Sequence, residues 1–265
     1  MLQFSANLSL LYNEYPLPQR FAAAKAGGFD AVEIQFPYSQ SAAELRQLLD
    51  GNGLRLVLFN VDADTLLQGG EGLAAVPEKR QDFRRAVDQA LRYAELLQPC
   101  AINVLPGRCL NADRLAEYRA TFLENLDYAA RAFAGQGIVT VFEAVNSFDM
   151  PGFILDSSAQ MLQVLHDLNH PHLRLQYDIY HMSRMGEDCA EFLRCHIDRI
   201  GHIQFADCPG RAQPGSGSVD FPVLFQIIRD SAYSGWTGAE YRPGAATADS
   251  LAWLKSYAAS GSGTV

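Results

Sequence analysis

Four oxygen-bearing side chains carry the chemistry that this sequence offers. Glu143 closes the run "VTVFEAV", Asp178 closes "LRLQYD", Gln204 lies in "HIQFAD", and Glu240 closes "WTGAEY". Successive members stand about one strand–helix unit apart in the chain. Three carboxylates brought together cannot all stay ionised without compensation, because like charges raise one another's pKa. A divalent cation among them removes the conflict. The set is all oxygen, holds no cysteine, and includes a neutral amide donor, so it suits Mg2+ or Mn2+ better than zinc. Taken one at a time, each residue reads equally well as a helix cap or an arginine partner. Their recurrence at successive strand ends is what points to a shared ion.

The elements that would position them alternate regularly. Short β-rich runs ("FSANLS", "AVEIQF", "RLVLFN", "AINVLP", "VTVFEAV", "LRLQYD", "HIQFAD", "WTGAEY") are each followed by a stretch with apolar residues at three- and four-residue spacing. Gly27–Gly28, Gly51, Gly137 and Gly235 read as helix ends. Eight such units in 265 residues predict an α/β (β/α)8 TIM barrel in one domain over residues 1–258, with a flexible tail at 259–265. A doubly wound open sheet is the alternative, but it would carry a glycine-rich loop after its first strand, and "NLSLLYNEYP" has no glycine. In a barrel the catalytic groups gather at the C-terminal strand ends, where the four residues above fall. The run "LRLQYDIYHM" fits this placement. Arg174, Gln176 and Asp178 give one face of a strand to polar groups, and that face must point at something.

Composition limits the partners. The chain is 48% hydrophobic with a formal net charge of −9, so nucleic acid and anionic membrane are not expected partners. Five cysteines, none in C-x-x-C spacing, predict a reduced cytoplasmic protein with buried thiols. The N-terminus "MLQFSANLSLLYNEYP" has no basic region ahead of a long apolar run, so it does not read as a signal peptide. No run approaches the roughly 20 apolar residues of a membrane helix. A homo-oligomer remains open.

The segments "EAVNSFDMPGF" (143–153), "QYDIYHM" (176–182), "GHIQFADCPGRAQPGSG" (201–217) and "GWTGAEYRP" (235–243) resemble the hydroxypyruvate isomerase family of xylose-isomerase-like barrels, alongside 2-oxo-tetronate isomerases and ketose 3-epimerases. "FSANLSLLYNEYP", "FDAVEIQFPY" and "PGRCLNAD" extend the resemblance along the chain. It implies interconversion of hydroxypyruvate and tartronate semialdehyde, within glyoxylate and carbohydrate-acid metabolism, on a small 2-oxo or hydroxy acid. It also implies that Glu143 and Glu240 are the acid/base pair, that Glu143, Asp178, Gln204 and Glu240 hold the metal, and that His181 and Arg211 meet the substrate. Gln204 stands where the epimerases have histidine. Such a reaction takes a proton from one carbon and returns it to its neighbour through an enediolate, which a divalent cation stabilises and paired carboxylates can serve. The substrate carboxylate needs a partner, for which Arg211, Arg108 and Arg242 are candidates. His202 shares strand parity with Gln204 and is expected inside the barrel, while His166, His170, His172 and His196 are expected at the surface.

Two departures bear on the substrate. "GGEGLAAVP" places Glu71 where the pattern has an arginine, and "PGSGSVDF" places Ser218 where it has an acid. They leave a longer 2-oxo acid, or a ketose epimerised with the same glutamate pair, as alternatives. A metal-cluster endonuclease fits poorly with the net charge and with histidines away from the strand ends. A sugar-acid binding barrel without catalysis fits poorly with an intact acid set.

Overall fold

Each strand has two faces to bury, and the chain satisfies both by closing the sheet. In the computed structural model, which describes residues 2–258, eight parallel strands form a barrel in chain order. They are β1 (Gln3–Asn7), β2 (Ala31–Ile34), β3 (Arg55–Asn60), β4 (Ala101–Asn103), β5 (Val139–Phe142), β6 (Leu173–Asp178), β7 (Ile200–Phe205) and β8 (Trp236–Ala239). Around them lie α1 (Leu17–Ala26), α2 (Ala42–Asn52), α3 (Arg80–Leu97), α4 (Leu115–Ala134), α5 (Ser158–Leu168), α6 (Ile179–Arg184), α7 (Cys189–His196), α8 (Phe221–Asp230) and α9 (Ala252–Ala258). The expected (β/α)8 barrel is therefore formed as one domain. The tail expected at 259–265 lies outside the described residues.

Strand parity sorts the side chains. On β6, Leu173, Leu175 and Tyr177 belong to the large core between sheet and helices, where Tyr177 stacks on Phe192 of α7 with ring centroids 4.4 Å apart. Between β1, β7, α8 and α9, Phe4 meets Phe225 edge-on at 5.3 Å, and Phe205 meets Trp253 at 5.1 Å. Inside the barrel, Ala31, Leu58, Ala101 and Val141 form a separate small apolar cluster. Above that plug the interior turns polar. Register pairs Gln176 with His202, Asp178 with Gln204, and Asn7 with Glu33, so these residues fall in shared layers. This is what the polar face of "LRLQYD" points at: the barrel interior.

Three details differ from the sequence reading. Gly51 remains helical, and α2 ends on Gly53, whose φ of 60° is the left-handed cap conformation that glycine adopts without a Cβ penalty. Helix α6 starts directly after β6, because the Asp178 Oδ1 accepts the N–H groups of Tyr180 (2.8 Å) and His181 (3.4 Å) and so caps its first turn. Cys109, Cys189 and Cys208 are buried as expected, but Cys100 and Cys195 are exposed. Among the described residues no helix is long and apolar enough to cross a membrane.

Candidate active site

The carboxylates stand at the C-terminal rim of β5 to β8, and amides from other strands hold them. Glu143, one residue beyond β5, accepts at Oε1 from Asn103 Nδ2 (2.7 Å) and Gln176 Nε2 (2.9 Å). Glu240, one residue beyond β8, accepts at Oε1 from Asn7 Nδ2 (2.9 Å) and Gln35 Nε2 (3.0 Å). Its Oε2 accepts from the Arg211 guanidinium at 2.5 Å. Burial, then the charges of Glu240 and Asp178, push the Glu143 carboxyl well above its ordinary range. Burial also raises Asp178 and Glu240, against the pull of Arg211 on each. Sequence reasoning missed the amides Asn7, Gln35 and Asn103, which with Gln176 supply hydrogen bonds to the acids without adding charge, and Asn60, whose Oδ1 accepts from Asn103 Nδ2 at 3.1 Å.

It also missed Glu33. This carboxylate is fully buried on β2, below the rim. It accepts from Ser5 Oγ (2.5 Å), His202 Nε2 (2.8 Å) and Gln204 Nε2 (2.8 Å). Burial would raise its pKa, but the attraction of His202 and these hydrogen bonds outweigh it, and Glu33 sits below the usual carboxylate range. The expected interior placement of His202 is realised.

His181 is also buried, on α6. Its Nδ1 receives the Asn146 backbone N–H (3.3 Å) and side-chain Nδ2 (2.7 Å). The Asn146 amide is oriented in turn by Asp149, whose backbone N–H donates to Oδ1 (2.8 Å) and whose Oδ2 accepts from Nδ2 (3.0 Å). With Nδ1 acting as acceptor, the neutral ring carries its proton on Nε2, which lies 3.5 Å from Asp178 Oδ2. Burial, with the Arg211 charge, lowers the His181 pKa to about 3, so the ring stays neutral at ordinary pH.

Arg211 reaches the rim from the loop after β7. Asp207 pins that loop, accepting the backbone N–H groups of Cys208, Gly215, Gly217 and Val219 at 2.8–3.0 Å. Arg211 itself has φ 53°, and its carbonyl accepts the Arg242 N–H at 2.7 Å. Its guanidinium lies over the Tyr180 ring, 5.1 Å from the centroid, while the Tyr180 hydroxyl donates to Asp149 (2.6 Å). Arg211, Tyr180, Asp149, Asn146 and His181 thus form one connected wall.

The rim encloses a cavity of about 80 Å3 lined by Glu143, Gln204, Glu240, His181 and Arg211, among others, with an apolar side that includes Phe36, Leu67, Leu105 and Met150. Arg108 is not among its lining residues: its guanidinium donates to the carbonyls of Pro151 (2.7 Å) and Gly69 (3.0 Å) and so ties loops together. Arg242 is exposed. Glu71 accepts the Leu110 N–H (3.0 Å), and Ser218 donates to the Cys208 carbonyl (3.2 Å), so both departures sit in loop scaffolding. His166, His170, His172 and His196 are exposed or half-buried.

A divalent cation fits the donor set. Asp178 Oδ2 is buried and has no hydrogen-bond partner, an orphaned acceptor that costs stability unless something binds it. It lies in a buried group with Glu143 and His181, with atoms within 4.8 Å of one another, in which the two carboxylates offer oxygen and His181, its proton on Nε2, faces them as a donor. Three rim carboxylates share one guanidinium, which leaves negative charge for an ion to balance. Glu240 is taken up by Arg211 and falls outside that tight group. Asp178→Asn keeps an oxygen for the α6 cap but lowers the charge beside the orphaned position. The expected outcome is a normally folded variant with Mn2+ affinity reduced at least tenfold by calorimetry. Unchanged affinity would remove Asp178 from the ligand set.

Comparison with known proteins agrees with this architecture. Residues 21–257 match the family model of the xylose isomerase-like TIM barrel. The chain is 44% identical over 258 residues to the 2-oxo-tetronate isomerase of Cupriavidus necator, spanning 97% of this chain and 99% of that one. It is 40% identical over 257 residues to the hydroxypyruvate isomerase of Escherichia coli, spanning 97% and 100%. A solved structure described as an AP endonuclease, family 2, from Brucella melitensis superposes with a TM-score of 0.93 at 34% identity, covering 97% of this chain and 99% of that chain. The closed barrel with acids on its C-terminal rim is thus a xylose isomerase-like TIM barrel. Within that class the chain belongs to the hydroxypyruvate isomerase and 2-oxo-tetronate isomerase family, and it is an isomerase.

Proposed function

We propose that this isomerase interconverts hydroxypyruvate and tartronate semialdehyde (2-hydroxy-3-oxopropanoate), moving the carbonyl by one carbon. The observation that carries this reading is the arrangement of two buried glutamates, one neutral histidine and one arginine around a small cavity. In the forward direction a carboxylate of the Glu143/Glu240 pair takes a proton from C3. The C3–H electrons form the C2–C3 double bond, and the C2 carbonyl electrons move onto its oxygen, giving an enediolate. A proton returned to C2, together with transfer of the C3 hydroxyl proton to the C2 oxygen, completes the aldehyde and its neighbouring hydroxyl. The raised pKa of both glutamates brings them closer to the range in which a carboxyl both takes and gives a proton. His181, neutral with its proton on Nε2, donates a hydrogen bond to the oxygen that gains charge. Arg211 pairs with the substrate carboxylate, which then competes with Glu240 for the guanidinium. Glu143, Asp178, Gln204 and Glu240 are the residues we assign to a divalent ion, Mg2+ or Mn2+. When bound, it supplies Lewis-acid stabilisation of the enediolate charge.

A second reading is the same carbonyl shift on 2-oxo-tetronate, one carbon longer, which the 44% identity to an enzyme of that name favours. A nucleic-acid backbone would meet three carboxylates and one guanidinium at this rim, which is the wrong sign of charge. The test is proton NMR in D2O with hydroxypyruvate and, separately, 2-oxo-tetronate, first in Mg2+ and then in EDTA. The expected result is product with deuterium at the newly protonated carbon on at least one of the acids, suppressed by EDTA. Exchange only on free ketoses would move the assignment to epimerisation. Turnover undiminished in EDTA would remove the ion from the reaction.

A further inference from the structure

Gln204 can serve an ion only through its carbonyl oxygen, and an amide side chain has two faces of almost equal shape. Its orientation therefore has to be set by its neighbours. Gln204 Nε2 donates to Glu33 Oε2 at 2.8 Å, and Gln204 Oε1 accepts from Gln176 Nε2 at 2.7 Å. The same Gln176 Nε2 donates to Glu143 Oε1 at 2.9 Å. Two carboxylates thus hold a pair of amides in series across β2, β7, β6 and β5. An ionised carboxylate only accepts, so a Gln204 amide turned the other way would set oxygen against Glu33 and N–H against N–H at Gln176. Both contacts would be repulsive.

The fold makes room for Glu33 to do this. A Cβ added at Gly238 would lie 2.0 Å from Glu33 Oε1, so a side chain at 238 and Glu33 in its present position exclude each other. Ser5 Oγ and His202 Nε2 fix that same Oε1, at 2.5 and 2.8 Å, and leave Oε2 to the Gln204 amide. Glu33 lines the base of the cavity beneath the rim carboxylates, and it is buried completely. A carboxylate held this firmly needs a reason beyond packing, because burying a charge costs far more than burying an apolar side chain of the same size.

We propose that Glu33 is a positioning residue of the ion site: it locks the Gln204 amide so that its carbonyl oxygen faces the Glu143 side of the rim and is available to a divalent cation. The proposal rests on the assignment of Gln204 to that ion. Partners that orient a metal ligand in this way are worth about 10- to 100-fold in affinity.

The test is Mn2+ binding by titration calorimetry to metal-free protein. Four chains are compared: the parent, Glu33→Gln, Gln204→Glu, and the double variant Glu33→Gln/Gln204→Glu. Glu33→Gln gives the amide at 204 a partner that both donates and accepts, so the lock is lost and Mn2+ affinity falls about 10- to 100-fold. The double variant exchanges donor and acceptor, keeps the total charge, and presents a carboxylate that needs no orienting, so affinity recovers to within about fivefold of the parent. A purely structural role for Glu33 predicts no such recovery. Affinity of folded Glu33→Gln within twofold of the parent overturns the proposal. If Glu33→Gln does not fold, Glu33→Asp takes its place, since it keeps the charge but withdraws the carboxylate from the Gln204 amide. A fall in its Mn2+ affinity beyond twofold supports the proposal, and affinity within twofold of the parent overturns it. Failure of the parent itself to bind Mn2+ overturns the ion assignment, and this proposal with it. A parent that binds normally while the variants do not differ overturns this proposal alone.

Discussion

Glu143→Gln lowers turnover by about 10^3-fold while leaving the protein as stable as before, or more stable. The activity loss follows from removing one member of the proposed proton-transfer pair, since a positioned acid or base is typically worth about 10^2- to 10^4-fold. The stability gain follows from its surroundings. Burial and the charges of Glu240 and Asp178 hold the Glu143 carboxyl well above its ordinary pKa. An acid whose folded-state pKa is raised binds its proton more tightly than in the unfolded chain. Stability therefore falls as the pH rises past about 4.3, the unfolded value, where the unfolded chain ionises first. Gln has no proton to lose, and its oxygen can still accept from Asn103 and Gln176. Thermal unfolding in EDTA should show the variant gaining on the parent at pH 7 and matching it near pH 4. Turnover within tenfold of the parent in a folded variant would take Glu143 out of the acid/base pair. A stability loss at pH 7 would show that its charge is compensated by something other than an ion.

The barrel was legible because its signals are local. Strands such as "RLVLFN" are short apolar runs, helices such as α3 repeat their apolar residues at helical spacing, and eight repeats leave few architectures open. The acids of β5 to β8 were legible because a carboxylate at a strand end is anomalous in a buried sheet. The same reasoning applied to the other half of the chain would have found more. β1, β3 and β4 end on Asn7, Asn60 and Asn103, a repeated amide at the rim that the sequence shows plainly. Glu33 stands between Val32 and Ile34 in a strand buried on both faces, where a charge needs an explanation. Both signals are quieter than a cluster of acids, because one amide or one carboxylate in a strand has many ordinary readings.

What no local pattern carries is which partner each charge takes. Arg211 lies 29 residues from Glu240 in sequence, and it reaches the rim only because Asp207 gathers four backbone N–H groups and folds the loop beneath it. Arg108 looks equivalent in the sequence, yet carbonyls of two other loops capture its guanidinium. Glu71, which stands where the family pattern has an arginine, accepts the Leu110 N–H. In each case the outcome is decided by loop conformation, which depends on contacts far apart in the chain. Strand-end residues are fixed by register, and this is why they could be placed from sequence and the loop residues could not.

Arg211→Met lowers kcat/KM for the proposed substrate, hydroxypyruvate, by about 10^2-fold or more, with most of the loss in KM. Removing one partner of a buried, hydrogen-bonded charge pair costs about 2–5 kcal/mol. At about 1.4 kcal/mol per tenfold, this spans roughly 30-fold to a few thousand-fold. Two effects contribute, and they separate kinetically. If Arg211 anchors the substrate carboxylate, its loss weakens ground state and transition state alike and appears in KM. If its main work is to hold Glu240, whose Oε2 it meets at 2.5 Å, the loss appears in kcat, because the proton-transfer carboxylate is then left without its cation. Arg211→Lys keeps the charge but not the planar fork over the Tyr180 ring, so it recovers only part of the activity. Steady-state kinetics of both variants decide the matter. A loss confined to kcat, with KM unchanged, would assign Arg211 to Glu240 and require another group for the substrate carboxylate. A loss concentrated in KM explains why an acidic protein half-buries a guanidinium beside three carboxylates: it reserves one cationic position for an anionic substrate in a cavity that would otherwise repel it.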